Sequence, residues 1–326
     1  MRSETPYSQL SPEAVLDALE AAGYRSDGRI LALNSYENRV YQIGIDAGEP
    51  LVVKFYRPGR WSDAAILEEH AFALELAAQE IPVVAPLLRD GTALHVHNGF
   101  RYAIFPRRGG RWPELGTSDD RQWLGRFLGR IHRLGRAGAF KHRARLNAED
   151  LGRKSRDFLL AGAWLPEYLA PKYADLTEEL LEQVEGAARD WGGASFARIH
   201  GDCHRGNILW TDAGPHFVDL DDCQSGLAIQ DLWMLLAGDT QDMRRQLTDL
   251  LAGYEQFMAF DRRELVLIEP LRALRMMHYA AWLARRWHDP AFPKAFPWFA
   301  EARYWEEHYR ALQEQLGAVM QPPLEL

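Results

Sequence analysis

His200-Gly201-Asp202-Cys203-His204-Arg205-Gly206-Asn207 is the densest run of chemically capable side chains in the sequence. Ile208-Leu209-Trp210 follows at once, and Phe217-Val218-Asp219-Leu220-Asp221-Asp222 comes shortly after. The pattern is a carboxylate, an amide five residues on, two apolar segments of hairpin type, and a carboxylate twelve residues beyond the amide. Phosphoryl transfer asks for these groups. One carboxylate accepts the proton of the attacking hydroxyl, while an amide oxygen and a second carboxylate are hard ligands suited to Mg²⁺. Asp202 is therefore the expected base, and Asn207 and Asp219 are the expected metal ligands. Asp, Asn and Gly also favour turns for backbone reasons alone, but a turn does not require two carboxylates and an amide around two apolar segments. A different chemistry competes. On an extended strand His200, Asp202 and His204 would share one face and offer a Zn²⁺ donor set. That arrangement leaves Asn207 and Asp219 unused, and Gly201 and Gly206 favour a loop.

Working outward, Val52-Val53-Lys54-Phe55-Tyr56 sets a lysine inside an apolar strand, and Glu68 and Glu69 lie on the helical stretch that follows. Burying an unpaired ammonium is costly, so Lys54 calls for a partner. A strand lysine paired to a glutamate of the next helix orients ATP phosphates in kinases. The residues alone are equally served by an edge strand with Lys54 in solvent and both glutamates on a wet helix face. Asn34-Ser35-Tyr36-Glu37-Asn38 lies where a lid over the phosphates would sit. It lacks Gly-x-Gly-x-x-Gly, and by its residues it reads as a polar turn.

The surrounding pattern predicts strands over 29–33, 39–45, 50–56, 93–97 and 100–105. The turn at 46–49 and the Asn98-Gly99 pair are hairpin signals. A helix opens at Ser11-Pro12 and closes near Gly23. Another covers 62–78, with Leu67, Ala71, Leu74 and Ala78 on one face. Gly109, Gly110 and the prolines of 106–113 mark a lobe boundary. Beyond it, helices are expected over 119–134, 176–191, 243–260, 263–287 and 301–316, interrupted by a β-rich stretch at 196–222. The expected class is α+β and bilobal: an antiparallel five-strand nucleotide lobe, 1–106, and a mainly helical catalytic and substrate lobe, 107–326.

Composition bounds the rest. The net charge of -8 over 326 residues gives no support for a nucleic-acid partner. No run of about 18 apolar residues predicts a membrane span, and residues 1–10 are too polar for a signal peptide. Cytoplasmic location and a monomer are the default expectations. Cys203 and Cys223 are the only cysteines, which is no disulfide framework. Cys203 adjoins the expected base and Cys223 lies four residues past Asp219, so a redox role stands against two reduced, packed thiols. Arg57, Arg60, Arg107, Arg108 and Arg111 lie near the expected cleft, as readers of an acidic substrate or as a solvated loop. Trp282, Trp287, Phe292, Phe296, Trp298 and Phe299 crowd a proline-rich segment, as satellite core or as an acceptor groove.

These motifs resemble the aminoglycoside phosphotransferase and choline kinase superfamily. His200-Gly201-Asp202, Asn207 and Asp219 match its catalytic loop and metal aspartate, while Lys54 and Glu69 stand where it keeps its nucleotide lysine and helix glutamate. Longer runs (Leu33 to Tyr41, Val53 to Pro58, His200 to Trp210 and Asp231 to Leu236) resemble a bacterial serine/threonine protein kinase branch of the superfamily, tied to the stress response. The resemblance implies ATP- and Mg²⁺-dependent transfer to a protein serine or threonine. Its alternative acceptor is a small hydroxyl compound such as an amino alcohol, sugar or aminoglycoside. It implies Asp202 as proton acceptor, Asn207 and Asp219 as Mg²⁺ ligands, and Asp219 as an active-site residue. It also implies Ser35 as the ATP-site position in the lid, Glu69 rather than Glu68 as the lysine's partner, a hinge at 104–107, and Asp231 as a brace. Gly201 replaces the arginine of His-Arg-Asp, Asp219-Leu220-Asp221 replaces Asp-Phe-Gly, and no Ala-Pro-Glu follows. Switching by activation-loop phosphorylation is therefore not expected. Asp221 and Asp222 are left to face a second metal or to turn the loop.

Overall fold

Ser11 accepts a hydrogen bond from the backbone N–H of Ala14, and Pro12 takes the first helical position. Together they start α1 (Pro12–Ala21) in the computed structural model, which describes residues 5–188 and 195–326. The strands β1 (Ser26–Ala32), β2 (Arg39–Ile45) and β3 (Gly48–Phe55) follow, then α2 (Asp63–Ala78), β4 (His95–His97) and β5 (Phe100–Pro106). They form one antiparallel sheet in the order β1-β2-β3-β5-β4. The strand period of two decides its faces. Val53 and Phe55 point with Ile43, Tyr102 and Ile104 into a core closed by Val15, Ala18 and Leu19 of α1. Lys54 must then face the other way, toward α2.

The helix α2 corrects one expectation. Leu67 is 46% exposed, so the face carrying Leu67 and Ala71 meets solvent. The packed face carries Ile66, Glu69, His70, Ala73 and Leu76. Apolar residues surround this helix, so its period does not single out one stripe.

The second half begins with α3 (Ser118–Arg136), started by a reciprocal cap between Thr117 and Asp120. A π turn at Glu149–Arg153 leads into α4 (Lys154–Ala161), and α5 (Ala170–Ala188) follows. Residues 189–191 of the helix expected over 176–191 lie outside the described residues. Next come β6 (Ala197–Ile199), β7 (Ile208–Thr211), β8 (Gly214–Phe217) and β9 (Gln224–Gly226), paired as two small antiparallel ladders, β6-β9 and β7-β8. The chain ends with α6 (Ala228–Trp233), α7 (Thr240–Tyr254), α8 (Ile268–Arg286), α9 (Ala291–Ala295) and α10 (Ala302–Val319). Glycine lets α3 and α7 touch: a Cβ on Gly253 would stand 1.9 Å from the carbonyl oxygen of Gln122. The helix expected to reach 260 stops at Tyr254, and the one expected from 263 starts with a 3-10 stretch, Arg262–Leu267.

Candidate active site

The loop after β6 is fixed from below. Asp231 of α6 accepts the N–H groups of His200 and Gly201, both at 2.8 Å, and the Nε2–H of buried His132 at 2.9 Å. The chain turns at Gly201, whose φ is +85° and where a Cβ would meet the Asp222 carbonyl oxygen at 2.1 Å. This is no extended strand, and the Zn²⁺ arrangement fails with it. His200 Nε2 bonds the Val218 carbonyl at 2.9 Å, while His204 Nδ1 accepts from the Gly206 N–H at 2.9 Å. The two imidazoles are thus committed to separate backbone groups.

Asp202 rises from this loop into a partly open position. Arg275 of α8 donates from Nη1 to its Oδ1 at 2.6 Å, and His204 Nε2 lies 3.4 Å from its Oδ2. Burial opposes ionisation, but the His204 and Arg275 contacts outweigh it and hold the carboxyl well below the usual range. Asn207 donates from Nδ2 to the Asp202 carbonyl at 3.0 Å. Its Oδ1 meets no protein donor among the described residues, which suits it to a hard cation. The Val218 N–H bonds the Asn207 carbonyl at 3.0 Å, extending the β7-β8 ladder and bringing Asp219 alongside. Asp219 has φ +58°, a costly left-handed conformation for a residue with a side chain, and its carboxylate is 50% exposed. Asn207 and Asp219 line one cleft and offer the amide and carboxylate oxygens that Mg²⁺ prefers.

Lys54 meets three carboxylates: Asp221 at 3.0 Å, Asp219 at 3.1 Å and Glu69 at 3.4 Å. Burial works against its charge, but Asp221, Glu69 and Asp219 together raise its pKa well above the usual value. Glu69 is pushed up to about 7, by burial first and then by Asp221 and Asp219, against the opposing pull of Lys54 and Arg143. The glutamate left open by the sequence is resolved. Glu68 instead accepts the backbone N–H groups of Lys141 and His142 at 2.8 Å and of Arg143 at 3.1 Å.

Asp221 is buried and does not face the cleft as a free ligand. Arg60 pairs tightly with it, and Asn38 Nδ2 donates to it at 3.1 Å. Arg60 also holds Asp222 at 2.5 Å. Arg57 is likewise buried, 2.7 Å from Asp289 and 3.1 Å from Glu37. The solvated-loop reading of Arg57 and Arg60 is thereby corrected: both are consumed by ion pairs. Cys203 and Cys223 are fully buried, and burial pushes both thiols up, away from a reactive thiolate.

A cleft of about 360 Å³ lies between Lys54, Asn207 and Asp219 and the apolar walls of Val40, Val52, Ala73, Phe105, Leu209 and Leu220. Ser35 lines it from the β1-β2 loop, and Phe105 and Pro106 line it from the expected hinge. Arg107 turns away to Gln42 at 2.9 Å. The same β1-β2 loop reaches the helical half. Glu37 accepts from Trp282 Nε1 at 2.6 Å and from Arg286 at 2.9 Å, while Tyr36 packs against Phe292 and Phe296. Of the crowded aromatics, Trp287 and Phe299 join the core and Trp282 and Phe296 meet the β1-β2 loop. Sequence reasoning missed Arg275, Arg143 and the pairing of Asp221 with Lys54. Each partner comes from a remote segment, with no local signal.

Comparison with known proteins gives a consistent picture. Residues 29–268 match the model of the phosphotransferase enzyme family. Stress response kinase A of Escherichia coli O157:H7 is 46% identical over 320 residues, 98% of this chain and 97% of that protein. Serine/threonine protein kinase RdoA of Salmonella typhimurium (strain LT2) is 46% identical over 322 residues, again 98% and 97% of the two chains. Two solved structures share the fold. A microcompartment-associated aminopropanol kinase superposes with a TM-score of 0.71 at 19% identity, covering 95% of this chain and 98% of its own. The amicoumacin kinase hAmiN, in complex with AMP-PNP, Ca²⁺ and Ami, gives 0.68 at 19%, covering 92% and 93%.

Proposed function

The chain belongs to the phosphotransferase enzyme family, and we propose that it is an ATP- and Mg²⁺-dependent serine/threonine protein kinase of the stress response. The observation that carries the chemistry is the meeting of Lys54, Asn207 and Asp219 at one cleft, with Asp202 hydrogen-bonded to Asn207. The protein acceptor rests on the close similarity to a relative named serine/threonine protein kinase RdoA.

Residues 1–106 carry the nucleotide lobe, and 107–326 carry the catalytic and acceptor lobe. The apolar walls take the adenine, Ser35 sits in the lid, and Lys54, positioned by Glu69, meets the phosphates. Asn207 and Asp219 would hold Mg²⁺, which would supply positive charge against the transferring phosphate. Asp202 orients the acceptor hydroxyl and accepts its proton. The hydroxyl oxygen bonds the γ-phosphorus as the γ-phosphorus bond to the bridging oxygen breaks, and ADP leaves with that electron pair. No helix among the described residues is long and apolar enough to cross a membrane. We place the enzyme in the cytoplasm as a monomer.

The test is transfer of γ-labelled phosphate from Mg-ATP to a generic protein and to a panel of amino alcohols and sugars. Acid-stable label on serine or threonine is expected, reduced about 10²- to 10⁴-fold in Asp202→Asn. Label confined to a soluble compound would replace the protein acceptor with a small molecule.

A further inference from the structure

We propose that Arg275 selects the acceptor by reading a carboxylate side chain beside the reacting hydroxyl, so that the favoured acceptor is an acidic peptide. The inference rests on the kinase reading above and adds the charge of the acceptor to it.

Arg275 donates from Nη1 to Asp202 Oδ1 at 2.6 Å, on a side chain 44% open to solvent. It forms no other ion pair among the described residues. The second oxygen of Asp202 already has Asn207 Nδ2 and His204 Nε2 at 3.4 Å. A hydroxyl that approaches the base at Oδ1 meets the guanidinium there. An acceptor bearing its own carboxylate gives Arg275 a replacement partner and keeps the cation at the mouth of the site. A neutral or cationic acceptor strands it.

The surroundings carry the same sign. Along α8, Arg275, Tyr279, Trp282 and Arg286 recur at helical spacing on one face. Tyr279 is exposed and stacks on Trp282 with centroids 5.7 Å apart, a flat platform leading from the base toward the lid. Arg286 is held by Glu37. Arg285, one position round the helix, has no carboxylate within 4.0 Å among the described residues and donates only to the Lys154 carbonyl, at 3.1 Å. The nearby acid Asp150 is taken by Lys154 at 2.6 Å and Asn147 at 2.7 Å. His278, beneath this face, is pushed down to about 4 by burial and by Arg285, Arg275, Arg60 and Arg286. Arg275 and Arg286 are thus each matched by one carboxylate, and Arg285 is a guanidinium on this side without one among the described residues, a charge that complements an acidic segment and disfavours amino alcohols or aminoglycosides.

The test uses the full chain with and without Mg-AMP-PNP, and three matched serine peptides flanked by Asp/Glu, Ala or Lys. Calorimetry should give the acidic peptide an affinity about tenfold or more above the lysine-flanked one. Arg275→Ala, checked for an unchanged melting temperature, should bring that ratio close to one, while Arg275→Lys keeps part of it. Equal or reversed charge order, no peptide binding at all, or a preference that survives Arg275→Ala would each overturn the proposal, and loss of the preference only in the Arg275→Ala, Arg285→Ala double variant would move the role to Arg285. Label transfer to the same peptides is scored separately. Binding with the expected charge order but no labelled serine would sink the protein-kinase reading and leave the assignment of Arg275 standing.

Discussion

At Lys54 one ammonium serves three carboxylates, and the surplus negative charge falls on Glu69. Its second oxygen is buried without a hydrogen bond and has only Arg143, at 3.9 Å. A carboxyl whose folded pKa is raised from 4.5 to about 7 contributes stability that is full below 4.5 and is lost as the pH rises through about 7. Glu69→Gln removes that burden. In urea at pH 8 the variant should be about 1–3 kcal/mol more stable than the wild type, with the gap closing toward pH 5. Nucleotide affinity should move the other way and fall about tenfold, because Lys54 is then drawn toward Asp221 and Asp219 without a counterweight. A loss of stability at both pH values would mean that Glu69 is ionised and well paired in the fold.

At the scale of the element, neighbouring glutamates of α2 do separate jobs. Glu68 closes three backbone N–H groups at 141–143, the segment that also sends Arg143 to Glu69 and to the Cys223 carbonyl. Glu68→Ala should cost about 1–3 kcal/mol in thermal or urea unfolding, with nucleotide affinity falling far less than in Glu69→Gln. An equal loss of affinity in both variants would show that the anchor and the lysine act as one unit. The sequence made the strands legible because their signals are local: Asn98-Gly99 between β4 and β5, and the apolar run about Lys54. The Asp202, Asn207 and Asp219 set was legible for the same reason, since one hairpin brings it together. The short helices α4 and α6 were not foreseen, because eight and six residues hold too few turns to show a period. Nor were the long-range pairs. Arg275 and Asp202 are 73 residues apart, Arg60 and Asp221 are 161 apart, and Asn38 and Asp221 are 183 apart. Partners at such separations leave no pattern in either segment, and only the fold brings them together. The face of α2 was misjudged because apolar residues lie all round it.

Across the whole molecule, burial of neutral histidines sets a second pH trend, opposite in sign to that of Glu69. His308 of α10 is buried beside Tyr173 and Tyr304, and burial pushes its pKa down to about 4. His70 of α2 is pushed down to about 3, by burial and then by Lys54 and His95. The unfolded chain protonates both near 6.5 while the folded chain does not, so stability is lost as the pH falls below about 6.5. At pH 5 each histidine accounts for about 2 kcal/mol, from 1.36 kcal/mol per pKa unit over the 1.5 units below 6.5. Few ordinary carboxylates protonate above pH 5, but Glu69 does and pulls the wild-type curve the other way. The net slope is thus a poor readout, and a difference between proteins is a good one. Urea unfolding at pH 7 and pH 5 should show His308→Gln losing about 2 kcal/mol less than the wild type over that interval. Any constant cost of the substitution cancels in the comparison, because only the change with pH is read. Equal losses in the two proteins would mean that His308 takes up its proton inside the fold, and that the packing of α10 against α5 opens enough to hydrate it.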